Sequence, residues 1–119
     1  MTRKELNLFL IRILPGIKES YIDEISWQDG HDTGSHIVFE DILCPYIIRN
    51  TGNEQELKNC FSAIETILLL HDEYADEVIL LSVLDDLLSE PEVIIKSLKH
   101  MGNETRRLLQ ELLTKRRQK

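Results

Sequence analysis

The chain of 119 residues has few cysteines, few aromatic residues and no long apolar run. Its two cysteines form no CxxC pair, and no histidines stand at the spacing that a zinc site with them would need. The longest apolar stretches, residues 67–70 and 78–81, are far too short to cross a bilayer. These shortages argue against a zinc module and against a membrane-spanning protein.

Cys44 and Cys60 both lie on apolar stripes of the sequence, sixteen positions apart. A disulfide between them is one interpretation. Two buried free thiols in a reducing compartment is the interpretation that we favour, because free cysteine behaves as a small apolar core residue. With 42% hydrophobic and 29% charged residues, the composition is that of a soluble globular protein. We therefore expect a cytoplasmic protein.

Complete catalytic motifs are also lacking, although one short stretch resembles one. Asp32-Thr33-Gly34-Ser35 has the spelling of an aspartic protease loop, flanked by His31 and His36. Such an aspartate follows an apolar strand and shares a proton with a second aspartate. Here it follows WQDGH, a polar segment with turn-forming residues. We predict a structural or contact loop, in which Asp32 or Ser35 caps a neighbouring helix.

A second partial motif is His71-Asp72, which follows apolar residues as in helical metal phosphohydrolases of the HD type. Those enzymes also need an upstream histidine, for which His31 or His36 would serve, and a downstream aspartate, for which Asp85 or Asp86 would serve. Spacing alone does not specify such a site. A metal-dependent hydrolase is thus an alternative hypothesis, whereas our main expectation is a protein with no catalytic residues, no metal and no cofactor.

Charge is strongly segregated along the chain. Residues 15–92 carry eighteen carboxylates against three basic side chains, a balance of −15, whereas residues 93–119 carry eight basic side chains against two acidic ones, a balance of +6. Acidic surfaces repel nucleic acid and attract basic proteins. This pattern predicts either a solvated helical surface or a surface that captures a cationic protein.

Helical periodicity and capping signals cover most of the sequence. Thr2 and Glu5 form a capping box, Pro15-Gly16 ends the first helix, and Asn53 begins a long one. We predict one all-α domain over residues 1–119, a compact bundle of five to seven helices with short connections, with HEAT- or armadillo-like hairpins as an option for its C-terminal half. We also predict inward-facing Ile22 and Ile37, a kink or break at Pro45, a cap at Ser89, and a polar strip of Ser82, Asp85, Asp86 and Ser89. A strand within residues 35–39 is the alternative to helix there.

Acidic side chains crowd the region from residue 72 to residue 86, and others lie in the loop beside the single tryptophan. We predict that they form a partner-binding surface, and that charge reversal at Asp76 or Asp86 weakens binding without unfolding the protein. Trp27 is either an interface anchor or a residue at the edge of the core. The predicted partner-binding residues are Trp27, Asp29, Asp32, Asp72, Glu73, Asp76, Glu77, Asp85 and Asp86.

In its small size, helical pattern, acidic character and lack of a catalytic motif, the chain resembles the immunity proteins of bacterial polymorphic or contact-dependent toxin systems. The resemblance implies a cytoplasmic protein that binds and neutralises a cognate basic toxin domain, often a nuclease. It assigns no functional residue and leaves the oligomeric state open. A non-enzymatic regulatory module is a further alternative.

Overall fold

The computed structural model describes residues 1–118, and every regular element in this range is helical. The predicted all-α bundle is thus confirmed, and residues 35–39 form helix rather than strand. Seven helices follow one another: α1 Arg3–Ile13, α2 Lys18–Ile25, α3 at 35–49, α4 Glu54–Leu68, α5 at 73–87, α6 Pro91–Ser97 and α7 Asn103–Arg117. Short 3-10 turns at Pro15–Ile17, Gly30–Asp32 and Leu98–His100 lie between them.

Local capping explains where several helices begin. Thr2 accepts from the amide of Glu5 at 3.1 Å while the Glu5 carboxylate accepts from the amide of Thr2 at 2.8 Å, so the predicted capping box is present. Asn53 caps α4 by accepting from the amide of Glu56 at 3.1 Å. The predicted cap at Ser89 is wrong: Glu90 precedes α6, and the Ser89 hydroxyl donates to the carbonyl of Asp86 instead.

The core is built around α4, which packs against α1, α5, α6 and α7. Its inward face carries large apolar side chains with no exposed surface, such as Phe61, Ile64 and Ile67. Every helix contributes buried residues to this cluster. The structure measures 38 × 30 × 24 Å along its principal axes. No helix among residues 1–118 combines the length and the apolar character needed to span a membrane.

Two helices contain wide π-helical turns that the sequence pattern did not reveal. Helix α3 runs as α-helix over Ser35–Val38, π-helix over Phe39–Leu43 and α-helix over Cys44–Arg49. Helix α5 repeats this order with Glu73–Val78, Ile79–Leu84 and Asp85–Leu87. The two π segments pack on each other. Because a π turn holds an extra residue, the buried stripe of each helix moves forward by one position after it.

Several side-chain predictions are wrong, and the shift in α5 explains one of them. Ser82 belongs to the buried stripe of the first half of α5, so the predicted polar strip is divided and Ser82 is only 4% exposed. Ile37 falls outside the corresponding stripe of α3 and is exposed. Ile22 of α2 is exposed as well. Pro45 neither ends nor splits α3, because it lies in the first turn of the α-helical segment that follows the π turn.

Candidate functional site

The loop that contains Asp32-Thr33-Gly34-Ser35 is fastened to α1 by one buried asparagine. The side-chain amide of Asn7 donates to the carbonyl of Thr33 at 2.7 Å and to that of His31 at 3.2 Å. Its oxygen accepts from the Ser35 hydroxyl at 2.8 Å. Asn7, Thr33 and Ser35 are buried, whereas Asp32 is exposed. The loop therefore has a structural contact with α1, and its aspartate faces solvent.

Neither residue that we expected to cap a helix from this loop does so. Helix α3 begins after Gly34 without a side-chain cap, and Ser35 is already its first residue. The aspartate also lacks the setting of a protease, since a 3-10 turn holds it and no strand occurs in residues 1–118.

The two flanking histidines face different helices. The Nδ1 atom of His31 lies 2.9 Å from the hydroxyl of Tyr21, and the two rings stack. The Nδ1 atom of His36 lies 2.6 Å from the hydroxyl of Ser82, and its ring meets Tyr74 edge-on. Within residues 1–118, no group of three or more His, Cys, Asp or Glu side chains is arranged to hold a metal ion.

The junction of the two π segments is a polar contact that sequence reasoning missed. The thiol of Cys44 donates to the carbonyl of Ser82 at 3.2 Å, next to the His36–Ser82 pair. Burial, followed by the neighbouring carboxylate of Asp86, raises the pKa of Cys44. Cys60 is likewise free and buried, and burial raises the pKa of its thiol to about 12. The predicted pair of buried free thiols is confirmed, and both are poor nucleophiles in the folded protein.

His71 and Asp72 do not stand together on a helix. His71 lies in the connection before α5, in the left-handed region with φ of 52°, and its side chain is exposed. Asp72 is the cap of α5: its carboxylate accepts from the amide of Ala75 at 3.0 Å and from the amino terminus at 2.8 Å. These hydrogen bonds, that of the amino terminus first, lower the pKa of Asp72. The carboxylate of Asp72 therefore has a structural role, as the cap of α5 and the partner of the amino terminus.

The predicted acidic residues of α5 are partly neutralised or buried within the protein. Asp85 Oδ1 lies 2.5 Å from the guanidinium of Arg116 at the end of α7. Asp86 is half-buried beside Cys44. Asp76 is half-buried too, and burial raises its pKa although Arg107 opposes that shift. Lysine at position 76 or 86 would therefore disturb packing, so these positions are poor tests of binding. Glu73 and Glu77 are exposed.

A different electrostatic setting surrounds Trp27, Asp29 and Asp32. Residues 19–48 contain no lysine or arginine, and their seven carboxylates all lie in residues 19–41, which we call the acidic segment. Across residues 1–118, every ion pair is formed by carboxylates elsewhere in the chain. Six of the seven are exposed and the seventh is half-buried: Glu19, Asp23, Asp29, Asp32, Glu40 and Asp41, with Glu24. Trp27, which lies between Glu24 and Asp29 in the sequence, is 74% exposed.

The structure thus separates the nine predicted binding residues into two groups. Those of α5 are largely engaged with α7, the amino terminus or the core, except for Glu73 and Glu77. Those of the acidic segment are free of ion pairs within residues 1–118. An open groove of about 1090 Å³ runs beside α2, with Ile22 and Asp23 on one wall and Tyr46 and Arg49 of α3 on the other. The acidic segment with Trp27 is therefore the candidate site.

Comparison with curated proteins and with solved structures gives no significant match. A family model described as a domain of unknown function, DUF7674, matches residues 7–117. The chain therefore belongs to the DUF7674 family.

Proposed function

We propose that this protein is a non-catalytic binding protein that captures a basic protein domain, and that this domain is the toxin of a bacterial polymorphic or contact-dependent system. The observation that carries the proposal is the acidic segment: seven carboxylates, six of them exposed, without an ion pair in residues 1–118. A surface with one sign of charge steers an oppositely charged partner and speeds association.

The proposed mechanism is occlusion. A nuclease toxin must bind a polyanion, so its substrate groove is basic. The acidic segment offers carboxylates to the same groove and excludes the nucleic acid. The complex forms in the cytoplasm, where the toxin would otherwise act. Pairs at the centre of the interface would lose water and slow dissociation, whereas pairs at its rim would mainly affect the association rate.

The charge distribution of the fold supports this location of the interface. Basic side chains of α7 already have acidic partners: Arg116 pairs with Asp85 of α5, and Arg107 pairs with Glu104 and Glu111 of α7 itself. Such pairs neutralise charge within the molecule and weaken the electrostatic potential that a partner would experience. The acidic segment has no internal partner of this kind in the described residues, so its negative potential is directed to solvent.

The test is co-expression of this protein with the polypeptide encoded immediately upstream of its gene. Arrest of growth by that polypeptide alone, with rescue by this protein, is the expected result. With the purified pair, the association rate should fall steeply as salt rises. An upstream product that is harmless, or a pair that does not bind, would refute the proposal.

Charge-reversal variants locate the surface. Asp29→Lys combined with Asp32→Lys should lower the association rate, because both side chains are exposed and lie in the acidic segment. Glu90→Lys combined with Glu92→Lys is the matched control, since it changes the net charge equally and both side chains are exposed and lie outside the acidic segment. Equal effects of the two sets on the association rate would show that net charge matters but this surface does not.

A further inference from the structure

Trp27 is the single tryptophan of the chain, and it lies in the turn that follows α2. With 74% of its surface exposed, its indole is the most exposed of the large apolar side chains. The aromatic and cation–π contacts within residues 1–118 involve other rings. Leaving such a ring in water forgoes the burial of an area on the order of 150–250 Å². The indole does not contribute to the core, whereas burial in an interface would remove its apolar surface from water.

The backbone that carries Trp27 is held in place. The hydroxyl of Ser26 donates to the carbonyl of Asp23 at 2.7 Å, and the amide of Gln28 donates to the carbonyl of Ile25 at 3.2 Å. The side chain of Gln28 also donates to the carboxylate of Glu24 at 3.1 Å. Ile25 itself is buried in the core. Trp27 is thus presented by an ordered turn, which lowers the entropy that binding would cost.

The charged residues nearest to Trp27 in the sequence are all acidic. Asp23 and Glu24 precede Trp27 by four and three positions, and Asp29 follows it by two. An aromatic face attracts a cation, and a nearby carboxylate can pair with the same cation. Arginine makes the aromatic contact and the carboxylate contact at once. Its guanidinium is flat, stacks on indole and binds carboxylates through a planar fork of N–H groups.

We infer that Trp27 is the anchor that receives an arginine side chain of the partner, with the guanidinium stacked on the indole and paired with the carboxylates of the same turn. This inference rests on the proposed function and names the chemistry that the partner must present there. We place the cationic contact at the Trp27 end of α2, because Lys18 of α2 and Arg49 of α3 both line the groove beside that helix and repel further positive charge.

The experiment uses the full chain with two defined probes, hexa-arginine and hexa-lysine peptides. Since Trp27 is the single tryptophan, its fluorescence reports events at this side chain directly. We expect a saturable change in emission with hexa-arginine and tighter binding of hexa-arginine than of hexa-lysine. By calorimetry, Trp27→Ala should weaken hexa-arginine binding by roughly 2- to 30-fold, the range that corresponds to one cation–π contact.

Two controls separate anchoring from general attraction. Trp27→Ala should unfold at the same temperature as the parent, because the indole lies outside the core. Ile95→Ala removes another highly exposed apolar side chain, on α6, and should leave hexa-arginine binding unchanged. Equal binding of the two peptides, together with an unchanged affinity in Trp27→Ala, would overturn the inference.

The outcome also distinguishes this inference from the proposed function. If Trp27→Ala still neutralises the toxin while Asp29→Lys with Asp32→Lys does not, the arginine anchor is wrong and the acidic binding surface stands. If the unaltered chain binds no basic partner at all, the proposed function is wrong. If Trp27→Ala reduces affinity for the toxin and for hexa-arginine alike, both are supported.

Discussion

The carboxylate of Glu65 on α4 caps the first turn of α7 through Thr105. Its Oε1 atom accepts from the hydroxyl of Thr105 at 2.7 Å and from the amide of Thr105 at 2.9 Å. Its Oε2 atom accepts from the amide of Glu104 at 3.0 Å. Because α7 has no cap of its own, this distant carboxylate satisfies amides that a helix start leaves free and joins two core helices.

Replacement of Glu65 by alanine should destabilise the protein by about 2 kcal/mol, the scale of hydrogen bonds to a charged group. Chemical denaturation would measure this change in the free energy of unfolding. Glu92→Ala is the matched control, since Glu92 is exposed and its ion pair with Lys96 is a surface contact worth little. Similar losses in the two variants would contradict the assignment of a cap.

The same carboxylate should contribute to acid sensitivity. Burial opposes ionisation of Glu65, but hydrogen bonds from Thr105 and Glu104 outweigh it and lower the pKa. A lowered folded-state pKa means that the contribution is complete above the ordinary carboxyl pKa and is lost as pH falls through the folded-state value. Stability measured against pH should thus fall less steeply on the acid side in Glu65→Gln than in the parent. An unchanged slope would count against this expectation.

Gly102 makes room for the cap. A Cβ atom added at Gly102 would lie 2.3 Å from Cδ of Glu65. Gly102→Ala should therefore displace the carboxylate from Thr105 and lower the free energy of unfolding. In a double-mutant cycle with Glu65→Ala, the two losses should not add, because each variant removes the same cap. Full additivity would show that Gly102 acts through another contact.

Most of the fold was predictable because helical periodicity and capping are local signals. The capping box of Thr2, the end of the first helix before Pro15-Gly16 and the cap of Asn53 were all found from the sequence. The π turns were not, since no residue pattern marks them and each moves the buried stripe by only one position. That small shift is enough to separate Ser82, which is buried, from Asp85, Asp86 and Ser89 of the predicted polar strip.

The candidate site was predictable only in part. The sequence indicated that Asp29, Asp32 and Trp27 belong to an acidic loop, and the structure places all three at the surface. It did not show which carboxylates of α5 would find partners within the chain. The pairing of Asp85 with Arg116 joins residues far apart in sequence, and such pairs depend on how helices pack rather than on local pattern.

Asn7 should be essential to the loop and Asp32 should not. Asn7→Ala removes the donor to the carbonyls of Thr33 and His31 and the acceptor for Ser35. Leaving buried polar groups without partners costs about 1–3 kcal/mol, which should appear as a lower free energy of unfolding. Asp32→Asn is the control in the same loop and should unfold like the parent. A pepstatin-sensitive protease activity lost in Asp32→Asn would contradict the structural role of the loop.

The two thiols should be unreactive in the folded protein. Cys44 is 1% exposed and Cys60 is fully buried, and burial raises the pKa of both thiols. The thiolate is the species that attacks a disulfide reagent, so both should react slowly under native conditions and at once in denaturant. Two thiols per chain should titrate after unfolding, which also tests the absence of a disulfide between them.

In Ser82→Ala the carbonyl that accepts from Cys44 is retained, so the variant should protect the thiol from the reagent nearly as well as the parent. Fast labelling of Cys44 in the native parent would show that the π-segment junction opens more readily than its packing implies.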